Sequence, residues 1–387
     1  MFRIQTLNNI SPKGLALLPP TQYEYGADVA TPDAVLLRSH NMHEMDLPAS
    51  VQAVGRAGAG VNNIPVPRLT ELGVPVFNTP GANANAVKEL VIAGMLLAAR
   101  NLPQALQFVA GLEGQGDALN KVVEAGKKRF VGHELPGRTL AVIGLGAIGV
   151  KVANAAVGLG MQVIGYDPKI TVSRAWQLSA EVDQAASLEQ ALGQADFISL
   201  HVPLLDSTRN LLDATRLGQL KPGAVLLNFA REGIVDPALV MTALEQGQLQ
   251  RYVTDFPTRE LIDHDGVIAL PHLGASTTEA EENCAMMVAR QVRDYLENGN
   301  ITNSVNFPET VLPRTAGHRV SIINANIPNM LGQISSALAD SGLNILDMLN
   351  KSRGEIAYTL VDVDQALTEA TCERLRGIDG VLRVRTL

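Results

Sequence analysis

Three glycines near the middle of the chain have the spacing of a phosphate-binding turn. Gly144, Gly146 and Gly149 directly follow the apolar run 140–143. In such a turn the first glycine permits a tight reversal, the second lets the backbone approach a pyrophosphate, and the third lets a helix pack closely on the strand. The helix N-terminus then presents its free N–H groups to the phosphates. The spacing therefore predicts a strand, a turn and a helix that bind a dinucleotide.

An acidic residue downstream indicates which dinucleotide this is. A helix-period run covers residues 150–159, and a second apolar run, 161–166, ends at Asp167. An acid at this distance from the glycines accepts hydrogen bonds from the adenosine ribose. Because its negative charge disfavours a ribose 2′-phosphate, we expect NAD rather than NADP.

Three further polar residues stand where later predicted strands end: Arg231, Glu260 and His272. A planar guanidinium binds a carboxylate through two parallel hydrogen bonds. A histidine can accept a hydroxyl proton, and a carboxylate behind it fixes the tautomer and stabilises the imidazolium. Each residue alone is more often a solvated or structural group, but together they predict a site that oxidises a 2-hydroxy acid.

Composition sets the limits of this hypothesis. A chain of 387 residues is long enough for two or three domains. Its net charge of −8 provides no basic surface for nucleic acid or anionic lipid. The apolar run 90–99 is too short to span a membrane, and Cys284 and Cys372 lack the spacing of a metal site or a disulfide framework. We therefore expect a cytoplasmic protein with no metal, no nucleic-acid partner and no membrane partner.

Short apolar runs alternate with helical patterns, which predicts α/β architecture. Long helices are predicted at 87–100 and 279–297, and 111–129 is expected to be a surface helix and loop. After a proline- and glycine-bearing stretch, 319–387 repeats a strand-helix-strand-strand-helix-strand order that is typical of a ferredoxin-like domain. The strands predicted before that domain are 3–7, 34–37, 51–54, 74–77, 140–143, 161–166, 197–200, 224–228, 252–255 and 267–270.

Several motifs together resemble the D-isomer-specific 2-hydroxyacid dehydrogenases over almost the whole chain. They lie at 56–63, 78–83, 144–149, 166–168, 228–236 and 271–277, and the last two are specific signatures rather than generic glycine patterns. The resemblance implies a Rossmann-type NAD domain inserted in a flavodoxin-like substrate domain, followed by a ferredoxin-like ACT domain. The implied boundaries are 1–97 and 279–305 for the substrate domain, 98–278 for the NAD domain, 306–317 for a linker and 318–387 for the ACT domain.

The resemblance also assigns residues to roles. The catalytic Arg, Glu and His of the family fall on Arg231, Glu260 and His272, with the glutamate less securely placed because Arg259 alters the adjacent pattern. Substrate contacts fall on Arg38, Ser39, Asn83 and Arg231, where Arg38 would bind either a phosphate or a carboxylate. The implied NAD contacts are Gly144, Gly146, Ala147, Ile148, Gly149, Asp167, His201, Pro203, Thr208, Phe229, Ala230, Asp255 and Gly274.

In the C-terminal region, Asn326 and Asn344 match the side chains that bind L-serine in feedback-inhibited members of the family. Two departures weaken this match, because Asn324 replaces a histidine and Asn329 replaces a glycine. A domain that only mediates self-association is the alternative. Hydrophobic or mixed elements at the termini and linkers predict self-association, as a dimer through the NAD domain or a tetramer through the ACT domains. The basic run Lys127–Arg129 is a candidate to neutralise a phosphate across a dimer interface, although a run of three charges is more often a solvated face.

The implied reaction is NAD-dependent oxidation of the C2 hydroxyl of 3-phospho-D-glycerate to 3-phosphooxypyruvate, which begins serine biosynthesis. Other 2-hydroxy acids, such as 4-phosphoerythronate, glycerate or lactate, remain open as substrates. Two other functions also remain open. The protein could be an NAD-sensing interaction protein that resembles the related corepressors, or an amino-acid sensor. The ACT-like region favours the enzyme over the corepressor, whose tail is disordered.

Overall fold

The computed structural model describes residues 1–315 and 317–387, and Ala316, within the predicted linker, lies outside the described residues. The chain forms two compact units. The first unit contains Met1–Ala82 and Thr278–Leu387, and the second contains Asn83–Thr277.

The first unit contains a five-stranded sheet in which all strands run parallel. Helices α1 (Pro12–Leu15) and α2 (Val66–Glu71) lie between its strands in the chain, and the long α12 (Thr278–Asn298) packs on β4 and α1. Gly55 in β4 permits this close approach, because a Cβ there would lie 2.5 Å from Val288 Cγ2. The strands are β1 (Phe2–Leu7), β2 (Tyr23–Gly26), β3 (Ala34–Leu37), β4 (Ala53–Arg56) and β5 (Val76–Phe77), in the flavodoxin-like order β2-β1-β3-β4-β5.

The second unit is built on a seven-stranded parallel sheet with the order β12-β11-β10-β9-β6-β7-β8. The chain reverses its direction of strand addition between β6 and β9, so the crevice at their carboxyl ends is where a doubly wound sheet binds its ligand. The strands are β6 (Thr139–Ile143), β7 (Gln162–Tyr166), β8 (Val182–Gln184), β9 (Phe197–Leu200), β10 (Ala224–Asn228), β11 (Leu249–Thr254) and β12 (Val267–Ala269).

Helices share a hydrophobic core with each face of this sheet. The helices of the second unit are α3 (Ala84–Ala99), α4 (Leu102–Ala110), α5 (Gly116–Gly126), α6 (Ala147–Gly158), α7 (Val172–Ala175), α8 (Leu188–Gln194), α9 (Ala214–Gly218), α10 (Pro237–Glu245) and α11 (Arg259–Ile262), with 3₁₀ turns at Lys127–Phe130 and Glu232–Ile234. The fold class predicted from the sequence is confirmed.

The boundary expected at residue 97 differs from the observed one, because it falls inside α3. This helix buries Val87, Val91 and Met95 in the same core as strands of the seven-stranded sheet. Gly94 brings α3 so near that sheet that a Cβ would lie 3.0 Å from Val253 Cγ1. The whole helix therefore belongs to the second unit, which begins at Asn83.

The C-terminal region forms a four-stranded antiparallel sheet with the predicted ferredoxin-like order of elements. One sheet face packs on two helices through residues such as Val320, Ile334 and Leu375. The elements are β13 (His318–Ala325), α13 (Met330–Ala339), β14 (Ile345–Arg353), β15 (Ile356–Val363), α14 (Glu369–Arg376) and β16 (Val381–Thr386), and the sheet order is β14-β15-β13-β16.

The other face of this sheet is also buried. Ile323, Tyr358 and Leu360 share a hydrophobic core with Tyr295 of α12 and with Phe307. Residues 318–387 therefore belong to the first unit and do not form a compact unit of their own. Much of the stretch expected to be a linker is packed as well, since Phe307 is fully buried in this core.

A fully buried ion pair fastens the sheet to the end of α12. Arg319 donates from Nε to Asp362 Oδ1 at 2.6 Å and from Nη2 to Asp362 Oδ2 at 2.8 Å. Its remaining N–H groups donate to the backbone carbonyls of Asn298, Leu312 and Pro313. All five donors of the guanidinium are thus satisfied, which is what allows an arginine to be buried.

The part of the chain that the structure describes contains neither a membrane-spanning helix nor a metal-binding cluster. Among helices in residues 1–315 and 317–387, none is both long and apolar enough to cross a membrane. The same residues contain no cluster of three or more His, Cys, Asp or Glu side chains that could hold a metal ion.

Candidate active site

The predicted glycine turn joins β6 to α6, and each of its three positions favours glycine for a different physical reason. Gly144 has φ +94°, which an L side chain rarely adopts, and a Cβ there would lie 2.6 Å from the His201 carbonyl oxygen. A Cβ on Gly149 would overlap the Gly144 carbonyl oxygen. A Cβ on Gly146 would meet no atom of the described residues within 4 Å, so this glycine leaves space for a ligand to approach. The turn therefore fits the pyrophosphate of a dinucleotide, with Ala147 and Ile148 opening α6 beside it.

Asp167 follows β7 and organises the neighbouring backbone. Its Oδ2 accepts a hydrogen bond from the Leu145 N–H at 2.8 Å, and its Oδ1 accepts one from the Lys169 N–H at 2.8 Å. Leu145 lies between the first two glycines of the turn, so the carboxylate connects the ends of β6 and β7. Each oxygen keeps lone-pair capacity for a ribose hydroxyl, since an ionised carboxylate accepts about four hydrogen bonds.

His201 follows β9, the strand next to β6. Its Nε2 lies 2.8 Å from the Ser199 hydroxyl, and its buried Nδ1 has no hydrogen-bond partner among the described residues. Burial lowers the pKa of His201 to about 3, so the ring is neutral near pH 7. In the following turn, Thr208 donates to the Pro203 carbonyl at 2.5 Å and accepts from the Leu205 N–H. The segment thus has a fixed backbone and one unused polar atom beside the glycine turn.

Arg231 follows β10 and is exposed, while the two residues before it, Phe229 and Ala230, are buried. The fully buried Asn228 fixes this segment, because it donates to the Arg231 carbonyl at 3.0 Å and accepts from the Ala230 N–H at 3.1 Å. One guanidinium nitrogen, Nη1, donates to the Ala230 carbonyl at 2.7 Å. The guanidinium is therefore oriented and retains N–H donors for a carboxylate.

His272 is held in a left-handed conformation, with φ +57°, three residues after β12 ends. The buried Asp255 at the end of β11 holds the turn that carries it. Asp255 Oδ1 accepts from the Leu273 N–H and Oδ2 from the Gly274 N–H, both at 2.7 Å. The Phe256 ring and the imidazole pack in a T-shaped arrangement, with ring centroids 5.1 Å apart. The exposed imidazole thus stands on a backbone fixed by two charge-assisted hydrogen bonds.

Glu260 lies in the short helix α11 and is exposed. A hydrogen bond from its own backbone N–H, together with the Thr258 hydroxyl, lowers the pKa of its carboxyl group. Within residues 1–315 and 317–387, the Glu260 carboxylate and the His272 ring share no hydrogen bond. Both residues belong to the second unit, and the predicted contact between them remains a prediction.

Comparisons with known proteins agree with this geometry. A sequence profile described as "D-isomer specific 2-hydroxyacid dehydrogenase, NAD binding domain" matches residues 92–274. The D-3-phosphoglycerate dehydrogenase of Haemophilus influenzae is 36% identical over 90% of this chain and 85% of its own length. That of Escherichia coli K12 is 32% identical over 87% and 81%.

This chain belongs to the D-isomer-specific 2-hydroxyacid dehydrogenase family. The residues that match the family's NAD-binding domain, 92–274, all lie in the second unit. Among solved structures, the NAD⁺-bound 3-phosphoglycerate dehydrogenase of Entamoeba histolytica covers 79% of this chain and 98% of its own length, with a TM-score of 0.62 and 25% identity.

The expected substrate-binding residues of this dehydrogenase lie in both units. Arg38 and Ser39 follow β3, and the Ser39 N–H donates to the Asn8 side chain at 3.2 Å. Asn83 is the N-cap residue of α3 in the second unit. Arg38 Nη1 lies 2.5 Å from Glu281 Oε1, so this guanidinium already pairs with a carboxylate.

The structure separates the two expected serine-binding residues. Asn326 follows β13 and donates to the Gly354 carbonyl, beside the start of β15, whereas the Asn344 N–H donates to Asp364, just after β15 ends. Eight residues of β15 lie between these points, about 26 Å of extended chain. One small ligand therefore does not reach both side chains of the same chain. Asn329 has φ +66°, the left-handed conformation that a glycine would adopt more readily.

The basic run 127–129 lies beside the amphipathic helices α4 and α5, in which every residue is partly or fully exposed. Arg129 stacks over the Phe108 ring, with its guanidinium carbon 4.9 Å from the ring centroid, and over Phe130 at 5.4 Å. Lys127 pairs with Glu124. Lys127 and Arg129 thus have partners within the same unit, and these partners compensate part of the positive charge of the run without a substrate.

Two structurally important residues, Asn228 and Glu281, were not assigned a role of their own from the sequence. Asn228 is a polar residue at the end of an otherwise apolar strand, and that placement is a signal for a side chain that organises the next loop. Glu281 gives no comparable signal, since it lies between two other acidic residues, Glu279 and Glu282, in a helix start that favours acids.

Proposed function

We propose that the protein is a dehydrogenase that oxidises the C2 hydroxyl of 3-phospho-D-glycerate, with NAD as hydride acceptor, and so supplies 3-phosphooxypyruvate for serine biosynthesis. The observation that carries this proposal is the fixed position of His272, held by Asp255 in the same unit as the dinucleotide turn. Identity to proteins named D-3-phosphoglycerate dehydrogenase over most of the chain supports the choice of substrate.

The residues divide the chemistry between them. Arg231 binds the substrate carboxylate, and the His272 imidazole accepts the C2 hydroxyl proton as the carbonyl forms. When bound, NAD supplies the acceptor for the hydride that leaves C2. Glu260 orients His272 and stabilises the imidazolium once it turns towards the ring. Arg38, Ser39 and Asn83 contact the remaining substrate groups.

The proposed NAD subsite lies in the crevice at the carboxyl ends of β6 and β9 in the second unit. Gly144, Gly146 and Gly149, with Ala147 and Ile148, receive the pyrophosphate, and Asp167 receives the adenosine ribose. The residues proposed to line the rest of the cofactor are His201, Pro203, Thr208, Phe229, Ala230, Asp255 and Gly274. In this assignment the first unit's parallel sheet serves the substrate, and the C-terminal sheet is the ACT-like regulatory or oligomerisation element.

Two finer assignments concern partners. L-serine binds at Asn326 and Asn344 as an allosteric ligand, and because these residues lie at opposite ends of β15, each site takes one from each of two copies. A second contact between copies uses α4 and α5, whose Leu106 and Val109 are 68% and 59% exposed. The protein is then a cytoplasmic dimer or tetramer.

The first experiment follows NADH consumption with 3-phosphooxypyruvate, 2-oxoglutarate, glyoxylate and pyruvate, with and without L-serine. We expect a strong preference for the phosphorylated acid. Turnover of unphosphorylated acids alone would contradict the proposed substrate while leaving the dehydrogenase class intact. Unchanged rates across a serine titration would contradict the allosteric role.

The matching variant is His272→Ala, which removes the proton acceptor. A loss of at least about 100-fold in kcat, with NAD affinity near that of the wild type, is the expected outcome. Comparable loss of NAD binding, measured by calorimetric titration, would mean that the substitution damages the turn instead. A variant that keeps its kcat would show that His272 is not the base.

A further inference from the structure

A carboxylate and a guanidinium meet at the carboxyl edge of the five-stranded sheet. Arg38 directly follows β3, and Glu281 lies in the first turn of α12. Arg38 Nη1 is 2.5 Å from Glu281 Oε1, and the two side chains are 34% and 46% exposed. The contact uses one nitrogen of a group that has five N–H donors, so it leaves the guanidinium able to bind a second anion.

Two more polar groups adjoin this pair. Arg56 ends β4, and the buried Cys284 lies one helical turn after Glu281. Burial raises the pKa of the Cys284 thiol, Glu281 acts in the same direction, and Arg38 and Arg56 act against it. Arg38 and Glu281 thus act on this thiol with opposite sign, and their ion pair offsets part of the positive charge of Arg38.

We propose that Glu281 is a specificity-determining residue that limits how tightly the substrate phosphate binds at Arg38. This inference rests on the proposed function and assigns the phosphate, rather than the carboxylate, to Arg38. A phosphate that carries nearly two negative charges must share the guanidinium with the Glu281 carboxylate and is repelled by it. Substrate and product carry the same phosphate, so the same repulsion speeds product release.

The stability of the start of α12 does not depend on Glu281 alone. Acidic residues stabilise a helix start, but Glu279 in the same turn already supplies this interaction. The adjacent Glu282 has a separate partner, since its Oε2 lies 2.7 Å from Lys13 Nζ. Glu282 is therefore a matched control. It is the same residue type one position further along the helix, and neither it nor its partner Lys13 is proposed to contact the substrate.

The test compares Glu281→Gln and Glu282→Gln with the wild type, using 3-phosphooxypyruvate and hydroxypyruvate, which lacks the phosphate. Glu281→Gln should lower KM for the phosphorylated acid about three- to fivefold, and for hydroxypyruvate by less than about twofold, as expected for removing one partly exposed charge. Glu282→Gln should leave both values unchanged. An unchanged or higher KM for the phosphorylated acid, or an equal fall for both acids, would overturn the proposal.

A double-mutant cycle with Arg38→Gln establishes that the effect acts through Arg38. In the Arg38→Gln background, Glu281→Gln should change KM by less than about 1.5-fold, because the shared guanidinium is gone. A full effect in that background would place the action of Glu281 elsewhere and overturn the proposal.

Calorimetric titration with inorganic phosphate separates this inference from the proposed function. If the wild type shows no preference for the phosphorylated acid, the proposed function fails. The titration still reads the Arg38 site, where Glu281→Gln should tighten phosphate binding about three- to fivefold. Equal affinities for wild type and variant would overturn the role of Glu281 whatever the substrate is.

Discussion

Replacement of Asp255 by asparagine tests whether one buried carboxylate holds the turn that carries His272. The Asp255 side chain accepts the N–H groups of Leu273 and Gly274, one at each oxygen, and the residue is 1% exposed. Asparagine has the same shape but only one acceptor oxygen. Its NH₂ group therefore meets a backbone N–H, and that donor loses its partner inside the protein.

The expected cost follows from these two contacts. A hydrogen bond to a charged group contributes about 1.5–3 kcal/mol, and a buried donor left unpaired costs about 1–3 kcal/mol. We therefore expect the free energy of unfolding to fall by about 2–4 kcal/mol. A non-glycine residue pays about 1–2 kcal/mol for the left-handed conformation, so His272 relaxes once the turn is freed. Displacement of the imidazole by about 1 Å should lower kcat about 10- to 100-fold.

Urea unfolding followed by far-UV circular dichroism, together with kcat, measures both effects. The control is Asp263→Asn, because Asp263 forms an exposed ion pair with Arg259 at 2.9 Å and should contribute less than about 0.5 kcal/mol. An Asp255→Asn protein with wild-type unfolding and wild-type kcat would refute the reasoning. So would equal losses in the two variants.

Three further predictions concern the buried ion pair and the glycine turn. Arg319→Met leaves Asp362 buried and unpaired, and should lower the free energy of unfolding by about 3–5 kcal/mol in urea titrations. Burial raises the pKa of Asp362, but hydrogen bonds from Arg319 outweigh it, so the folded pKa is below the unfolded value. Its stabilisation is present above about pH 4 and is lost as pH falls through the folded pKa, so Asp362→Asn should flatten the acid limb of a Tm–pH profile. Gly149→Ala should lower Tm because its Cβ overlaps backbone, whereas Gly146→Ala should keep Tm and weaken NAD binding about tenfold or more.

A specific result would contradict each of these three predictions. Loss of less than about 1 kcal/mol in Arg319→Met would mean that the ion pair contributes little beyond its desolvation cost. An acid limb that is unchanged in Asp362→Asn would assign acid unfolding to other carboxylates. Equal Tm losses in the two glycine variants would show that Gly146 also serves packing rather than ligand approach.

The sequence predicted best what short stretches of chain determine. An apolar run followed by Gly144, Gly146 and Gly149 contains its own turn geometry, and the observed strand, turn and helix match it. The ferredoxin-like order after residue 317 was also readable, because short apolar runs and helical patterns follow one another there in the order of that fold. Strands β2 and β8 were missed, since they are short and mostly exposed and carry little apolar pattern.

What the sequence did not reveal depends on residues far apart in the chain. Arg319 and Asp362 are separated by 43 positions, and either one alone looks like an ordinary surface charge. The apolar Phe307 stands in a proline-bearing stretch that resembles a linker, yet it is buried in a core shared by the five-stranded sheet, α12 and the C-terminal sheet. The boundary inside α3 was misplaced for the same reason, because the helix pattern shows an apolar face but not which sheet that face meets.

Helix α12 contacts Arg38 at one end and the C-terminal sheet at the other. At its start Glu281 pairs with Arg38, and at its end the C-terminal sheet supplies the partners that a helix lacks for its last carbonyls. Arg385 donates to the Leu296 carbonyl, and the Tyr358 hydroxyl donates to the Gly299 carbonyl at 2.6 Å. Moving the sheet away from α12 would leave these buried carbonyls unpaired, at about 1–3 kcal/mol each. The C-terminal sheet and the end of α12 are therefore held together by these contacts, and the same helix holds Glu281 against Arg38 at its other end.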